Sequence, residues 1–456
     1  MAFTSKRHLR RPALTLALAL AVIAVTAACT ADSGGGGNGG PVELTLLDHQ
    51  EPRIELLKKL LPQFEQDMEE QGKKISVELL EGPAEDTQFT TKLTLDYNSG
   101  NAPDVASFGN SSTVDFATSG FLLDLTPMTE EWTDWDEHFY EQLREELVQP
   151  DGKTYAVPRE AQIVQLFYRK DVLQSDGIST AQPQSWDDLL DRMTQVTRKS
   201  GEPSLLFPAG EAWGGGTFFE GFIHLMLGTG SSLYDAEESK WIVASPGLTD
   251  VLSYYESLTA AGVMPVDPLL NPEPWVPTKY EAFPKGDLVA TTCGTWCWIF
   301  DWGPEGAAPI DGLFKKVSTW EFPTENGDDT FVWGSSGWVW AISADTENPE
   351  EAWELVKWLA SGDFMAQNAV TVGAASPRDD LRNVPPYSDY DFLIDAERQL
   401  PKARSFVALP GTDKIVQAVG EATEQVITGR MSGEEAAEFL AERATELLGE
   451  ENVKSL

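Results

Sequence analysis

The sequence has little of what enzymes and metal centres are built from. It contains 3 cysteines and 4 histidines in 456 residues, and His49, His138 and His224 have no neighbour at ligand spacing. It has no His-Glu-x-x-His, Walker A, Gly-x-Ser-x-Gly or dinucleotide-binding pattern. Its carboxylates are too numerous to single out a glycosidase pair. The sequence therefore predicts a protein that is not an enzyme and that uses neither a metal nor a cofactor.

Basic residues are also scarce. The chain has 33 Lys and Arg against 73 Asp and Glu, a formal net charge of −40. Such a surface repels nucleic acid, acidic membrane surfaces and polyanionic substrates. Tryptophan, in contrast, is abundant, with 15 residues. Because so many aromatic side chains exceed what a core usually takes, we expect some of them to line a binding surface.

The first 28 residues have the layout of a secretory signal. A basic start precedes the apolar run from Ala13 to Val25, and the small residues Ala27 and Ala28 follow. The run is shorter than the roughly 20 apolar residues of a membrane span. We therefore predict a signal peptide at 1–28 and a folded body outside the cell membrane.

Cys29 follows the small pair directly and resembles the lipobox of bacterial lipoproteins, in which the cysteine becomes a lipid-modified N-terminus. Thr26 stands where that motif usually has leucine, so an ordinary cleaved signal with an incidental cysteine is the alternative. Residues 29–41 are polar and dominated by glycine, as in a flexible tether. We expect a lipid on Cys29 and a location on the extracellular face of the membrane.

Cys293 and Cys297 form an isolated pair. In an oxidising exterior such a pair is read first as a disulfide, and four residues of helix would separate the Cα atoms by about 6 Å, within bridging range. A metal site is disfavoured because no second Cys or His pair stands nearby. A redox pair remains open, although the spacing is not Cys-x-x-Cys.

The periodicity of apolar residues predicts an α/β fold. A chain of this length is too long for one compact core, so two lobes are expected. Strand and helix patterns alternate at 42–47, 54–68, 75–79, 87–97 and 103–106. This order predicts a parallel sheet with ligand beyond the carboxyl ends of its strands. Near the C-terminus, the capping box from Ser432 to Glu435 predicts the start of a helix.

A longer motif starts at Asp151, where the chain reads DGKTYAVPREAQIVQLFYRKDVLQSDGISTAQPQSWDDL. Further segments in the same order are 102–105, 120–125, 283–286, 294–296, 334–337, 348–359 and 377–378. Their order and spacing resemble the extracellular solute-binding proteins of bacterial ABC importers, in the carbohydrate-binding group related to maltose-binding protein. The resemblance spans nearly the whole chain after the tether.

This resemblance implies a two-lobed periplasmic-binding-protein-like fold with a hinge and a ligand cleft. By analogy, the N-terminal lobe comprises 42–156 and 322–375, and the C-terminal lobe comprises 157–321 and 376–456. The chain would cross between lobes near 155–158, 320–323 and 373–377. The ligand would close the lobes about the hinge, and a membrane permease would receive it from the closed monomer.

A sugar site needs flat aromatic faces for the ring and polar groups for the hydroxyls. Mapped onto the resemblance, the expected contacts are Trp296, Asn110, Glu51, Glu160 and Ser336. Two further residues are candidates: Arg378, for which a structural ion pair is an equal alternative, and Trp213. The expected ligand is a neutral oligosaccharide. Two alternatives remain: a non-sugar solute such as a peptide, polyamine or siderophore, and an exported glycoside hydrolase.

Overall fold

The structure is a computed structural model that describes residues 41–456, apart from 407 and 408. The predicted signal peptide, Cys29 and the predicted tether as far as residue 40 therefore lie outside the described residues. Among the described residues, no helix is long and apolar enough to cross a membrane.

The described residues form fifteen β-strands: β1 (Val42–Asp48), β2 (Ile75–Glu81), β3 (Val105–Gly109), β4 (Val157–Pro158), β5 (Gln162–Arg169), β6 (Leu205–Leu206), β7 (Tyr234–Asp235), β8 (Lys240–Ala244), β9 (Ala290–Gly294), β10 (Val317–Trp320), β11 (Phe322–Pro323), β12 (Thr330–Ser335), β13 (Trp338–Ile342), β14 (Ala403–Arg404) and β15 (Val453–Ser455).

Eighteen α-helices occur in the same part of the chain: α1 (Glu51–Glu70), α2 (Asp86–Ser99), α3 (Thr113–Thr118), α4 (Thr126–Glu130), α5 (Thr133–Glu137), α6 (Glu141–Glu146), α7 (Lys170–Ser175), α8 (Trp186–Ser200), α9 (Ile223–Gly228), α10 (Pro246–Ala260), α11 (Val266–Leu269), α12 (Phe283–Lys285), α13 (Leu313–Lys316), α14 (Pro349–Leu359), α15 (Gly362–Val372), α16 (Asp391–Glu397), α17 (Thr412–Ile427) and α18 (Gly433–Leu448). Two π-helical segments, Thr217–Phe222 and Val276–Ala282, and a 3₁₀ turn, Thr295–Trp298, matter for the site.

The first sheet has the strand order β2-β1-β3-β13-β4. Strands β1, β2 and β3 are parallel, as the alternation of strand and helix patterns predicted, and β13 runs antiparallel to β3 and β4. Helix α1 packs on this sheet because its apolar residues recur at helical spacing; Leu57 and Phe64 are fully buried. These elements form the core of the first lobe.

The second sheet has the strand order β11-β12-β5-β9-β6, with β10 also paired to β5 and β14 paired to β12. Its core contains side chains from α8, α10, α17 and α18. The predicted capping box is confirmed: the Ser432 side chain accepts a hydrogen bond from the Glu435 backbone, and the Glu435 side chain accepts one from the Ser432 backbone. A three-stranded sheet, β15-β8-β7, completes the second lobe.

The chain crosses between the two sheets later than expected. The first crossing lies at 159–161, between β4 and β5, close to the predicted 155–158. The predicted return at 320–323 is wrong, because β10, β11 and β12 all pair within the second sheet. The return lies instead at 336–337, where Gly337 adopts a φ of +57° before β13 joins the first sheet.

The last crossing is also later than the predicted 373–377. Leu393 and Ile394 still pack in the first core, whereas β14 pairs with β12 in the second sheet. The crossing therefore lies at 395–402. We use "first lobe" for residues 42–158 and 338–394, and "second lobe" for 162–335 and 403–456.

Candidate ligand-binding cleft

A cavity of about 450 Å³ lies between the lobes, beside the carboxyl ends of β1 and β3. Residues of both lobes line it. Its aromatic lining residues are Phe219, Trp296, Phe300, Trp333, Trp338 and Phe406. Its polar and charged lining residues are Gln50, Arg53, Asp86, Asn110, Ser111, Glu146, Glu160, Gln162, Glu220 and Ser335. The cavity thus combines flat apolar faces with hydrogen-bonding groups.

Trp296 is presented by a short turn at the end of β9. The 3₁₀ turn follows Gly294 directly, and the half-buried indole folds back so closely that a Cβ at Gly294 would overlap it. A disulfide joins Cys293 and Cys297, with their Cα atoms 6.3 Å apart. Because the two cysteines flank Trp296 in the chain, the disulfide closes the turn that carries this side chain.

A buried charged cluster lies against this disulfide. The Asp301 carboxylate oxygen Oδ2 lies 2.9 Å from Cys297 Sγ, and Lys279 Nζ lies 3.5 Å from Cys293 Sγ. Burial raises the pKa of Asp301 to about 6. Lys279 also forms an ion pair with Glu220, a residue of the cavity lining. The support of the Trp296 turn is therefore connected to the cavity through Lys279 and Glu220.

Glu146 connects the first lobe to the crossing at 336–337. Its carboxylate accepts hydrogen bonds from Ser335 Oγ at 2.6 Å, from the Ser336 backbone N–H at 2.7 Å and from Ser336 Oγ at 3.0 Å. Asn110 also hydrogen-bonds to it through its side chain. Burial raises the pKa of Glu146, opposed by these hydrogen bonds. Helix α6 thus holds the crossing segment at the edge of the cavity.

Arg53 and Glu160 form a buried ion pair in the cavity wall. Arg53 Nη2 donates to Glu160 Oε1 at 3.0 Å and to Oε2 at 2.9 Å, and both side chains are almost completely buried. The guanidinium lies 4.3 Å from the centre of the Trp338 ring. This stack fixes the Trp338 indole, because the cation is attracted to its face.

Three of the predicted contacts lie in the cavity lining: Trp296, Asn110 and Glu160. Ser336 lies just behind it, fully buried, while its neighbours Ser335 and Gly337 are lining residues. Their roles in ligand binding remain predictions.

The other three predicted contacts lie outside the lining. Glu51 is exposed at the start of α1. Trp213 is buried, with its ring 5.4 Å from Lys279 Nζ. For Arg378 the structure shows the alternative, a structural ion pair: its guanidinium pairs with Asp134 and Asp380 at 2.9 and 2.8 Å.

The prediction missed several lining residues. Arg53 was passed over because the periodicity of α1 was read from apolar residues alone. Trp338 lies in the candidate stretch 335–338, from which only Ser336 was selected. Phe219 and Glu220 lie in a π-helical segment, whose register cannot be read from a 3.6-residue period.

Comparison with known families decides the class of the protein. Residues 61–392, more than half of the chain, match the family model "Bacterial extracellular solute-binding protein". The chain belongs to this family. Its members are solute-binding proteins rather than enzymes, as the lack of a catalytic constellation predicted, and membership implies a protein that faces the outside of the cell.

A relative within the curated proteins is the diacetylchitobiose-binding protein DasA of Streptomyces coelicolor, which is 25% identical over 301 residues. The match spans 64% of this solute-binding chain and 64% of that relative, less than two thirds of its length.

Two solved structures share the fold. The maltose-bound MalE3 of T. maritima is 22% identical and superposes with a TM-score of 0.73, over 89% of this chain and all (100%) of that one. The sugar-binding protein MalE of Xanthomonas citri is 22% identical, with a TM-score of 0.74 over 89% and 97% of the two chains. These matches confirm the predicted two-lobed fold.

Proposed function

We propose that this protein is the lipid-anchored binding component of an ABC importer, which captures an oligosaccharide between its lobes and delivers it to the membrane permease. The observation that carries the proposal is the cavity between the lobes, lined by six aromatic side chains and by hydrogen-bonding groups. The relatives named for binding diacetylchitobiose and maltose support a sugar as the ligand.

The chemistry of the cavity suits a pyranose ring. The C–H face of a sugar ring packs on a flat indole such as Trp296, while its hydroxyls exchange hydrogen bonds with water for bonds to side chains such as Asn110 and Gln162. Glu160 reaches the same cavity although its carboxylate is already paired with Arg53. We keep Trp296, Asn110 and Glu160 as the first residues to test.

The anchor and the partners follow from the sequence. The signal-like leader, Cys29 and the glycine tether support attachment to the outer face of the membrane through a lipid, and we propose that the attached protein is a monomer. A tethered monomer stays close to a permease while its lobes open and close, since the tether limits how far it diffuses.

The ligand class is tested first by thermal shift with mono- and oligosaccharides, together with spermidine and short peptides. A ligand at 100 times its Kd adds about 2.7 kcal/mol of stability. We expect an oligosaccharide to give the largest shift. Stabilisation by spermidine or a peptide with none by any sugar would refute the sugar assignment, and release of shorter sugars during incubation would point to hydrolysis instead.

The best sugar is then titrated by calorimetry into wild type, Trp296→Ala and a matched control, Trp132→Ala. Trp132 is a half-buried tryptophan of the first lobe outside the cavity lining. We expect Trp296→Ala to weaken binding by about 2 kcal/mol or more, the scale of a binding hot spot, and the control to bind as wild type does. Equal affinities for wild type and Trp296→Ala would remove Trp296 from the site.

A further inference from the structure

We propose that Glu220 binds the ligand directly and makes the cleft select sugars that carry a basic amine. The inference rests on the proposed function, because it assumes that the cavity between the lobes holds a sugar. It concerns a residue that neither the sequence motifs nor the family comparison singles out.

The hydrogen bonds of the cavity carboxylates leave Glu220 as the one best placed to accept from a ligand. Four carboxylates line the cavity in the described part of the chain: Asp86, Glu146, Glu160 and Glu220. The Glu146 carboxylate already accepts hydrogen bonds from Ser335, Ser336 and Asn110. Both oxygens of the Glu160 carboxylate accept hydrogen bonds from Arg53.

Asp86 and Glu220 differ in how firmly they are held. Asp86 bonds to His49 Nε2 through Oδ1, but its side chain is 64% exposed. Glu220 is only 21% exposed, and its ion pair with Lys279 uses Oε2. Its second oxygen, Oε1, has no hydrogen-bond partner within residues 41–456 as described. A ligand donor can therefore bind Glu220 without displacing a protein partner.

Lys279, which lies outside the cavity lining, holds the Glu220 carboxylate in place. Glu220 lies in one π-helical segment and Lys279 in the other, and π-helical turns are frequent at functional sites. Lys279 is 4% exposed and is enclosed by the Trp213 ring and Cys293 Sγ. The Trp302 indole N–H also donates to its backbone oxygen at 2.9 Å. A cation so enclosed cannot swing away, and it keeps the Glu220 carboxylate oriented.

The charge of the cleft favours a cation over a neutral group or an anion. Of the lining residues, Arg53 is the one cation against the four carboxylates. Behind the lining, the cations Arg159 and Lys279 are matched by the carboxylates Asp48 and Asp301. Among these nine side chains, carboxylates therefore outnumber cations by three.

An amino sugar satisfies both features of the cleft. Its ring packs on an aromatic face, as a neutral sugar would, and its ammonium group donates a charge-assisted hydrogen bond to Glu220 Oε1. A hydroxyl at the same ring position donates a hydrogen bond without the charge. An acetylated amine loses the charge, and a uronic acid is repelled.

The experiment compares three β-1,4-linked disaccharides by calorimetry at neutral pH: cellobiose, the glucosamine disaccharide and N,N′-diacetylchitobiose. They differ mainly in the group at one ring position, which is a hydroxyl, an amine or an acetylated amine. We expect the amine form to bind about tenfold more tightly than cellobiose at about 0.02 M salt, and this preference to shrink at about 0.3 M salt, since salt screens charge attraction. Glu220→Gln should abolish the preference, measured as the ratio of the two Kd values within the variant, because the glutamine has no charge to attract the amine. The control Glu442→Gln, at an exposed position of α18, should retain the preference.

The outcomes separate this inference from the proposed function. Equal wild-type affinities for the amine and hydroxyl forms, or no binding of the amine form, would overturn the role of Glu220, and so would a preference that survives in Glu220→Gln. The wild-type comparison and its salt dependence stand even if the variant folds poorly. The sugar screen decides the proposed function independently, because it depends on any sugar binding and not on an amine.

Discussion

The buried ion pair between Arg159 and Asp48 should be among the most costly contacts to break. Arg159 lies in the first crossing, and its side chain and that of Asp48 are both completely buried. Its guanidinium also donates to Ser107 Oγ at 2.9 Å and Asn368 Oδ1 at 3.0 Å, and it lies 4.2 Å from the centre of the Trp340 ring. One side chain thus joins the hinge to β1, β3, α15 and β13.

The structure sets the expected size of the effect. Burial lowers the pKa of Arg159 to about 10, which still leaves it charged at neutral pH. Arg159→Met keeps much of the volume but leaves the Asp48 carboxylate buried without its cation. Removing one partner of a buried pair costs about 3–5 kcal/mol. The exposed pair of Arg398 and Asp395 should contribute less than about 1 kcal/mol, so Arg398→Met is a suitable control.

Urea unfolding followed by tryptophan fluorescence measures both variants and the double variant Asp48→Asn/Arg159→Met. The double variant should recover part of the loss, because it no longer buries a lone charge. A loss below about 1 kcal/mol for Arg159→Met, or a double variant no more stable than the single one, would refute the reasoning.

Three further predictions concern other parts of the chain. Replacing Cys293 and Cys297 by serine should cost about 2 kcal/mol in urea unfolding, since the closed loop is short; two free thiols in the exported wild type would argue against the bridge. Burial raises the pKa of Asp301 from 3.8 to about 6, so between these pH values the folded protein keeps a proton on Asp301 that the unfolded chain has lost. The free energy of unfolding should therefore fall as pH rises from about 4 to 6, by up to about 3 kcal/mol. Asp301→Asn should lack this part of the fall, and parallel pH profiles for variant and wild type would contradict it. Cys29→Ser should release the protein from membranes or leave it unprocessed, and a mature N-terminus other than Cys29 would exclude the lipid anchor.

Local patterns were enough to predict the three parallel strands of the first sheet, β1, β2 and β3, and the helices between them. The pattern at 42–47 became β1, and the apolar period at 54–68 lies within α1, because each buries one face against its nearest neighbours in the chain. The fold class also followed from this order. Such patterns depend on residues a few positions apart, which a sequence displays directly.

The positions of the crossings at 336–337 and 395–402 could not be predicted from local patterns. Strands β10 and β11 look like any short apolar strands, and only their partners, β5 and β12, place them in the second sheet. Pairing is a long-range property, and a single sequence does not display it.

The same limit applies to the site. Asp134, one of the two partners of Arg378, and Glu160, the partner of Arg53, lie 244 and 107 positions away in the chain, so these two ion pairs could not be read from the sequence. Trp296 was found because it lies within a motif, whereas Glu220 has no motif around it.

The position of β13 has a consequence for synthesis. Although it follows the whole first segment of the second lobe in the chain, β13 lies between β3 and β4 in the sheet. During synthesis from the N-terminus, one edge of β3 therefore stays unpaired until residues 338–342 have been made. Unpaired strand edges promote aggregation. Helices α17 and α18, which cover α10, arrive later still. Neither lobe can finish folding early, so a nascent chain of this protein needs protection until its last quarter has been made.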